Sequence, residues 1–452
     1  MDKNDLNEKL SEHLSVISKC TIPSKQGAVL LATFLESRYP YAYPRDNACA
    51  SMLFRQMVEK DLGPNEDAFN LLKGIAKFMA AVQDEEGEWV QRYGLSGQNK
   101  AIYVQEDNTA YGAIILANYL LASFHRKEQP AELEDYLQKI KKGIQFAIKN
   151  FYRQEIFLFF STTGIHESAI EKGYSIWVNH VYILIFNLIS QLSGKILLKD
   201  FFADELSFKK SFCHSVHQHF VLNDRFVRRI TPNGTFDLRP DVTLISPNYF
   251  QCKEDQCMSC VLNDHPDIID NSVNFMVENL WDPELGMLQR YLPFTEDIET
   301  HLHAGNGPWI QYTSMLAQYY YKKGYIERGD SILNHIDKYR SEEGYIPEHL
   351  STKRRFEEFI RREWEVGLDV RKEFHSEILI PKLSYDLIAD EIFFMKKAYD
   401  EIRKEITEDK KEVIHFATPL MWSHIEYANA LIARYEAVVA KDSVDLTTPI
   451  KN

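Results

Sequence analysis

Apolar residues recur at helical spacing along almost the whole chain, and this pattern restricts the fold more than any other feature. The pattern has no period of 30 to 50 residues with repeated consensus positions, so a helical solenoid is disfavoured. Polar and aromatic motifs lie in the loops between helices, which favours a closed double ring of helices with a pocket at one end. We therefore predict an all-α fold with helices near 2–20, 46–60, 66–83, 107–124, 132–151, 176–194, 204–220, 264–280, 309–323, 326–339 and 418–438, and a short strand near 28–34.

The composition of the 452 residues excludes several classes of partner. The formal net charge is -14 and the pI is about 5.6, which argues against binding to nucleic acid or to an anionic membrane. Six cysteines are too few for a disulfide scaffold in a chain of this length. The first residues have no apolar core of a secretory signal, and no run reaches eighteen apolar residues. We expect a reduced, soluble, cytoplasmic protein with no cofactor.

The stretch Tyr39–Asn47 reads Tyr-Pro-Tyr-Ala-Tyr-Pro-Arg-Asp-Asn and precedes a predicted helix. Its two prolines fix φ and remove backbone donors, so the stretch is a shaped turn and not the interior of a strand. The tyrosines offer apolar faces with polar tips, and Arg45 beside Asp46 offers a donor fork next to an acceptor. This mixture suits a sugar, which has apolar C–H faces and a rim of hydroxyls. The alternative is that Asp46 caps the following helix while Arg45 makes a surface ion pair.

Two further loops carry the same mixture of aromatic and acidic side chains. Gly87-Glu-Trp-Val-Gln-Arg-Tyr93 contributes the indole of Trp89, and Tyr103-Val-Gln-Glu-Asp-Asn108 places a phenol and two carboxylates at the start of a helix. Such residues are candidates for contact with a carbohydrate.

Four motifs in order resemble glycoside hydrolase family 15, the glucoamylase family. The W/Y-P-R-D turn is matched by Tyr43-Pro-Arg-Asp46 and the G-N/D-G-P-W segment by Gly305-Asn-Gly-Pro-Trp309. The P-E-Q turn is matched by Pro347-Glu-His349 and the closing P-L-x-W-S-H/Y helix by Pro419-Leu-Met-Trp-Ser-His424. The matches span about residues 26 to 438. The resemblance implies an (α/α)₆ barrel, and we interpret residues 1–452 as a single domain of this kind.

The resemblance also implies inverting hydrolysis of an α-glucosidic bond by two carboxyl groups. Glu348 occupies the position of the general base; the alternative for this residue is a carboxylate at a helix start. The family's W-E acid motif aligns with His166-Glu167, which makes Glu167 the general acid, with Glu171 as the second choice. Aligning Trp177-Val178 there instead would leave no carboxylate and imply an inactive protein. A charged imidazole at His166 would favour the ionised form of its neighbour, whereas a neutral one would not.

The resemblance to the family also implies which residues bind the substrate. Arg45 and Asp46 match residues that hold the hydroxyls of the terminal glucose, and Trp309 matches a wall of the pocket. Tyr43, Trp89, Tyr103 and Trp422 are expected to line it, and Glu106 and Asp107 match an acidic subsite less closely.

Residues 350–413 differ from the rest of the chain in their charge pattern. Positive and negative side chains alternate at helical spacing, which is typical of solvated helices. We predict a helical insertion that affects assembly, including homo-oligomer formation, or the depth of the pocket. Cys252, Cys257, Cys260 and His265 lack the regular spacing of a four-ligand zinc site, so no metal is expected.

The sequence thus predicts an exo-acting α-glucosidase on short α-1,4- or α-1,6-linked gluco-oligosaccharides. Hydrolysis of trehalose and a catalytically silent, sugar-binding or regulatory barrel are the alternatives.

Overall fold

The structure is a computed structural model that describes residues 2–37, 39–166, 172–195, 201–250, 262–291, 307–359 and 412–447, together with residues 400 and 404. Helices account for most of these residues. They are α1 (Lys3–Lys19), α2 (Pro44–Lys60), α3 (Asn65–Val82), α4 (Asn108–His125), α5 (Leu133–Asn150), α6 (Ile176–Lys195), α7 (Ala203–Ser207), α8 (Lys209–His219), α9 (Ser246–Tyr249), α10 (Ile268–Leu280), α11 (Ile310–Lys322), α12 (Ile326–Lys338), α13 (Lys353–Phe359) and α14 (Met421–Thr447). A 3₁₀ turn, Val242–Ile245, leads into α9.

The strands are two to four residues long and pair as small antiparallel ribbons between the helices. They are β1 (Thr21–Ser24), β2 (Gly27–Leu30), β3 (Tyr152–Arg153), β4 (Leu158–Phe159), β5 (Tyr174–Ser175), β6 (Val221–Leu222), β7 (Arg225–Phe226), β8 (Arg229–Ile230), β9 (Phe236–Asp237), β10 (Trp281–Asp282), β11 (Met287–Leu288), β12 (His349–Thr352) and β13 (Val413–Phe416). The pairs are β1–β2, β3–β4, β6–β7, β10–β11 and β12–β13, and β8 lies between β5 and β9.

Inner and outer helices alternate along the described chain. The helices α2, α4, α6, α9, α11 and α14 each contact the next, and α14 returns to contact α2, so they close a ring. The helices α1, α3, α5, α8, α10 and α12 pack outside this ring. The predicted (α/α)₆ barrel is confirmed.

Burial patterns explain why each helix lies in the inner or the outer ring. In α4 and α11 nearly every side chain is buried, because these helices are surrounded by neighbours. In contrast, α5 and α12 bury a single apolar stripe and expose a charged face, as outer helices must. The predicted helix boundaries agree with the observed ones to within a few residues, with two exceptions. The segment 204–220 is divided into α7 and α8 at Phe208, and α14 continues to Thr447, nine residues beyond the predicted end at 438.

Within the described part of the chain, one helix, α6, has the length and apolar composition of a membrane span, but 72% of its Ile176–Gly194 window is buried inside the protein. Its neighbours in the inner ring are α4 and α9. Its apolar character is therefore that of a core helix.

The predicted insertion begins and ends in one ribbon. Strand β12 pairs with β13 in the register His349 to Phe416 and Thr352 to Val413, so the two ends of the segment 350–413 lie side by side. Most of the segment lies outside the described residues, and the assignment of 1–452 to a single domain stays a prediction.

Candidate active site

A cleft of about 700 Å³, including its open mouth, lies where the loops meet the inner ring. Loops that are far apart in sequence converge there: the turn before α2, the segment after α3, the residues around β11, and the starts of α11, β12 and α14. Its lining includes the predicted residues Tyr43, Arg45, Asp46, Tyr103, Trp309, Glu348 and Trp422.

The first wall is the start of α2. Pro44 is the first helical residue and Tyr43 precedes it in extended conformation, without a side-chain cap. Arg45 donates from Nε to Asp46 Oδ1 at 3.2 Å, and its guanidinium lies 4.9 Å from the centre of the Trp422 ring. Both charged side chains are largely buried, at 12% and 3% exposure. The alternative of a helix cap and a surface ion pair is therefore wrong, and the pair presents a donor and an acceptor to the cleft.

Glu348 is held in the cleft by its backbone. Its N–H donates to the carbonyl of Phe416 at 2.9 Å, and its carbonyl accepts from Ile310 N at 3.0 Å. The carboxylate keeps 14% exposure and lies 3.5 Å from Nδ1 of His349. A strand, β12, follows Glu348, so the interpretation of this residue as a helix-start carboxylate is wrong.

Trp309 belongs to the second wall of the cleft, and the ring of His349 packs against it. The imidazole stacks on Trp309 at 4.5 Å and on Phe416 at 4.2 Å between ring centres. Gly307, two residues before Trp309, has no room for a side chain, because a Cβ would lie 1.9 Å from the carbonyl oxygen of Leu350. This contact explains the glycine that precedes Pro-Trp in the motif.

The predicted acid Glu167 and the second choice Glu171 lie outside the described residues. The preceding residue, His166, is buried, and its Nε2 lies 2.7 Å from Asp241 Oδ2. Although burial raises the pKa of Asp241, Arg228 and His166 together hold it below its usual range. Burial lowers the pKa of His166 to about 4 against the opposing effect of Asp241. The imidazole is therefore neutral near pH 7 and donates its Nε2 proton to Asp241, which is the case that does not favour ionisation of a neighbouring acid.

The alternative acid position, Trp177-Val178, lies in the core. Both side chains are fully buried in the first turn of α6, and Trp177 donates from Nε1 to the hydroxyl of Tyr111 at 2.7 Å. These residues pack the inner ring and do not line the cleft.

Trp89 also lies in the core, outside the lining of the cleft. Its indole is fully buried and donates to the carbonyl of Met79 at 2.8 Å. The ring packs against Gly112, where a Cβ would lie 2.2 Å from the indole, and against Gly143. This close packing explains why a tryptophan occupies position 89 without any contact to a sugar.

Glu106 and Asp107 are buried and are not among the residues that line the cleft. Glu106 accepts hydrogen bonds from the backbone N–H and the hydroxyl of Thr162 at 2.9 and 2.7 Å. Burial raises the pKa of Glu106 in spite of these hydrogen bonds. Asp107 is the residue before α4 and is 1% exposed. Their assignment to an acidic subsite stays a prediction.

Part of the lining had no individual assignment from the sequence, although Tyr39 lies in the proposed sugar-binding turn: Tyr39, Gln91, Arg92, Arg290, Gln311 and Tyr312. Arg290 lies 4.5 Å from the centre of the Trp309 ring and donates to the carbonyl of Ile165, so it joins the predicted wall to the residue before His166. Arg92 donates to the hydroxyl of Tyr43 at 3.2 Å. A signal for Arg92 existed, because it lies in the same loop as Trp89. Arg290 follows a turn that reads only as a connection between elements.

Among the described residues, no group of three or more His, Cys, Asp or Glu side chains is arranged to hold a metal ion. Cys252, Cys257 and Cys260 lie outside the described ranges.

Comparison with known proteins gives relatives at low identity. No family model matches the chain. An uncharacterized glycosyl hydrolase of Methanocaldococcus jannaschii is 23% identical in an alignment over 356 residues that covers 72% of this chain and 49% of that protein. This chain thus spans about half the length of the curated relative it matches.

Solved structures of glycosidases share the whole architecture. The glucoamylase of Saccharomycopsis fibuligera superposes with a TM-score of 0.59 at 15% identity, covering 97% of this chain and 96% of that one. A glycosidase variant in complex with glucose superposes with a TM-score of 0.59 at 12% identity, covering 96% and 99% of the two chains. The chain therefore has the (α/α)₆ fold of the glucoamylases of glycoside hydrolase family 15, as its ordered motifs predict.

Proposed function

We propose that the protein is a glycoside hydrolase, an exo-acting inverting α-glucosidase that releases β-glucose from the non-reducing end of short α-1,4- or α-1,6-linked gluco-oligosaccharides. The observation that carries the proposal is the convergence of Arg45, Asp46, Trp309, Trp422 and Glu348 on one cleft of a glucoamylase fold. Four segments that are far apart in sequence supply these five residues. A glucose complex of a structural neighbour supports a sugar as the substrate.

The chemistry assigned to the cleft follows from its side chains. Arg45 donates to sugar hydroxyls and Asp46 accepts from them, while the indoles of Trp309 and Trp422 cover apolar C–H faces. Glu348, as an ionised carboxylate, takes a proton from the water that attacks the anomeric carbon. Glu167, assigned by sequence, protonates the leaving oxygen.

The neutral state of His166 supports this division of roles. A general acid must keep its proton near neutral pH, and a cationic neighbour would lower its pKa. Because burial lowers the pKa of His166 to about 4, the residue before Glu167 carries no charge near neutral pH.

The test is sugar release from maltose, isomaltose and trehalose, followed by proton NMR before mutarotation. We expect β-glucose as the first product from maltose or isomaltose, because an inverting pair of carboxyl groups stands roughly 6.5–9.5 Å apart and admits a water. Initial release of α-glucose would exclude inversion and make Glu348 a nucleophile. Hydrolysis of trehalose alone would favour the trehalase, and no release from any of the three would favour the silent barrel.

A further inference from the structure

A pair of buried histidines joins the first helix to the last. His13 of α1 and His424 of α14 are 2% and 1% exposed, and their Nδ1 atoms lie 2.9 Å apart. Tyr427 packs on the ring of His13 at 4.9 Å between centres. Neither histidine lines the cleft.

A backbone hydrogen bond determines where the protons lie in this pair. The N–H of Ile346 donates to Nε2 of His424 at 3.0 Å, so this nitrogen carries no proton. Burial lowers the pKa of His424 to about 3 and that of His13 well below its usual value, and Arg340 adds to both effects. In a neutral imidazole one nitrogen donates and the other accepts. Nδ1 of His424 therefore donates to Nδ1 of His13, and His13 keeps its own proton on Nε2.

Ile346 lies two residues before Glu348, and its backbone is fully enclosed. Its carbonyl accepts from Leu420 N at 2.9 Å, while Glu348 is held by Phe416 and Ile310 through backbone bonds. Pro347, between them, has no N–H to donate. Of these anchors, the one on the N–H of Ile346 is made by a side chain, that of His424.

We propose that His13 and His424 are positioning residues for Glu348. His13 accepts the Nδ1 proton of His424 and so selects the tautomer whose Nε2 holds the N–H of Ile346. Helix α1, on the outside of the barrel, thereby sets the backbone that carries the base. The inference rests on the proposed function, because it assigns the pair a role in placing the general base.

The test compares two substitutions of the same residue. The His13→Asn variant places an amide oxygen where Nδ1 of His13 lies, so an acceptor for His424 is kept. The His13→Phe variant keeps a ring that packs on Tyr427 but accepts no hydrogen bond. We expect H13F to lower kcat on maltose or isomaltose about tenfold or more with KM within about twofold, since a small displacement of a catalytic group is costly. H13N should stay within about threefold of the parent.

Leu14→Ala serves as the matched control for docking of α1. Leu14 is 4% exposed on the same helix and makes no polar link to α14. We expect L14A to lower the melting temperature at least as much as H13F while leaving kcat unchanged. Equal kcat losses in L14A and H13F, or unchanged kcat in H13F, would show a purely structural role and overturn the proposal.

Amide exchange at Ile346 gives a readout that does not depend on activity. The Ile346 amide should lose protection in H13F and keep it in H13N and L14A. If the parent hydrolyses none of the three sugars, the proposed function fails, and protection that is equal in H13F and H13N would separately overturn the tautomer selection.

Discussion

Two buried histidines flank the predicted catalytic carboxylates, and they are held in opposite ways. His166 directly precedes Glu167, and Asp241 holds its ring, with Arg228 Nε 3.2 Å from the same carboxylate oxygen. His424 holds the segment before Glu348, and its partner is a second neutral histidine, His13. The residue before the predicted acid is therefore held by charged side chains, and the segment before the predicted base is held by a neutral histidine pair.

The two anchors differ in the charge that their side chains carry. Arg228 is 4% exposed and lies between Asp237 and Asp241, so the group is stable only when its charges are matched. The pair of His13 and His424 needs only one hydrogen-bond donor facing one acceptor, and other side chains can supply that acceptor. Charged anchors resist replacement, whereas a neutral anchor tolerates any group with the right acceptor.

The largest expected effect is on catalysis and concerns the proposed base, Glu348. Glu348→Gln should lower turnover about a hundred- to ten-thousandfold, because the amide cannot take the proton of the attacking water. Binding of glucose, measured by calorimetry, should persist because Arg45, Asp46 and the indoles are unchanged. Turnover within a few-fold of the parent would remove Glu348 from the mechanism.

The next effect concerns the charged anchor. Asp241→Asn should lower the free energy of unfolding by about 3–5 kcal/mol, because it leaves the buried guanidinium of Arg228 with one carboxylate fewer. Urea denaturation measures this, with His13→Asn as the neutral counterpart, expected to lose about 1 kcal/mol. Equal losses in the two variants would abolish the distinction between the anchors.

The third effect is a dependence of stability on pH that both anchors share. Burial lowers the pKa of His166 to about 4 and that of His424 to about 3. Unfolded histidines bind protons below about pH 6.5 while the folded ones do not, so stability is complete above that pH. It should fall by about 3 kcal/mol per histidine as the pH drops from 6.5 towards 4.

Thermal unfolding across this range checks the expectation in the parent, in H13N and in H13F. The fall should persist in every variant that keeps His166 buried. A flat profile between pH 4 and 6.5 would contradict the neutral state of both histidines.

Local patterns predicted the helices and the loops that carry the site. The apolar spacing of α4 and α12 is a property of neighbouring residues, and the Tyr43-Pro-Arg-Asp46 turn is shaped by its own prolines. Arg45, Asp46, Trp309 and Trp422 were assigned as lining residues before the fold was known through the resemblance of their motifs to family 15. Arg290 could not be selected, because its position over Trp309 depends on the pairing of distant loops.

The sequence by itself determined the succession of helices, the order of the motifs and the residue types available to the cleft, because these depend on local spacing and chemistry. Only the tertiary structure decided that Trp89 belongs to the core, that His166 is neutral, and that His13 contacts His424 across 411 positions of the chain. The physical reason is that burial and tautomer are set by what surrounds a side chain in space, and closure of the ring brings together residues that no local pattern relates.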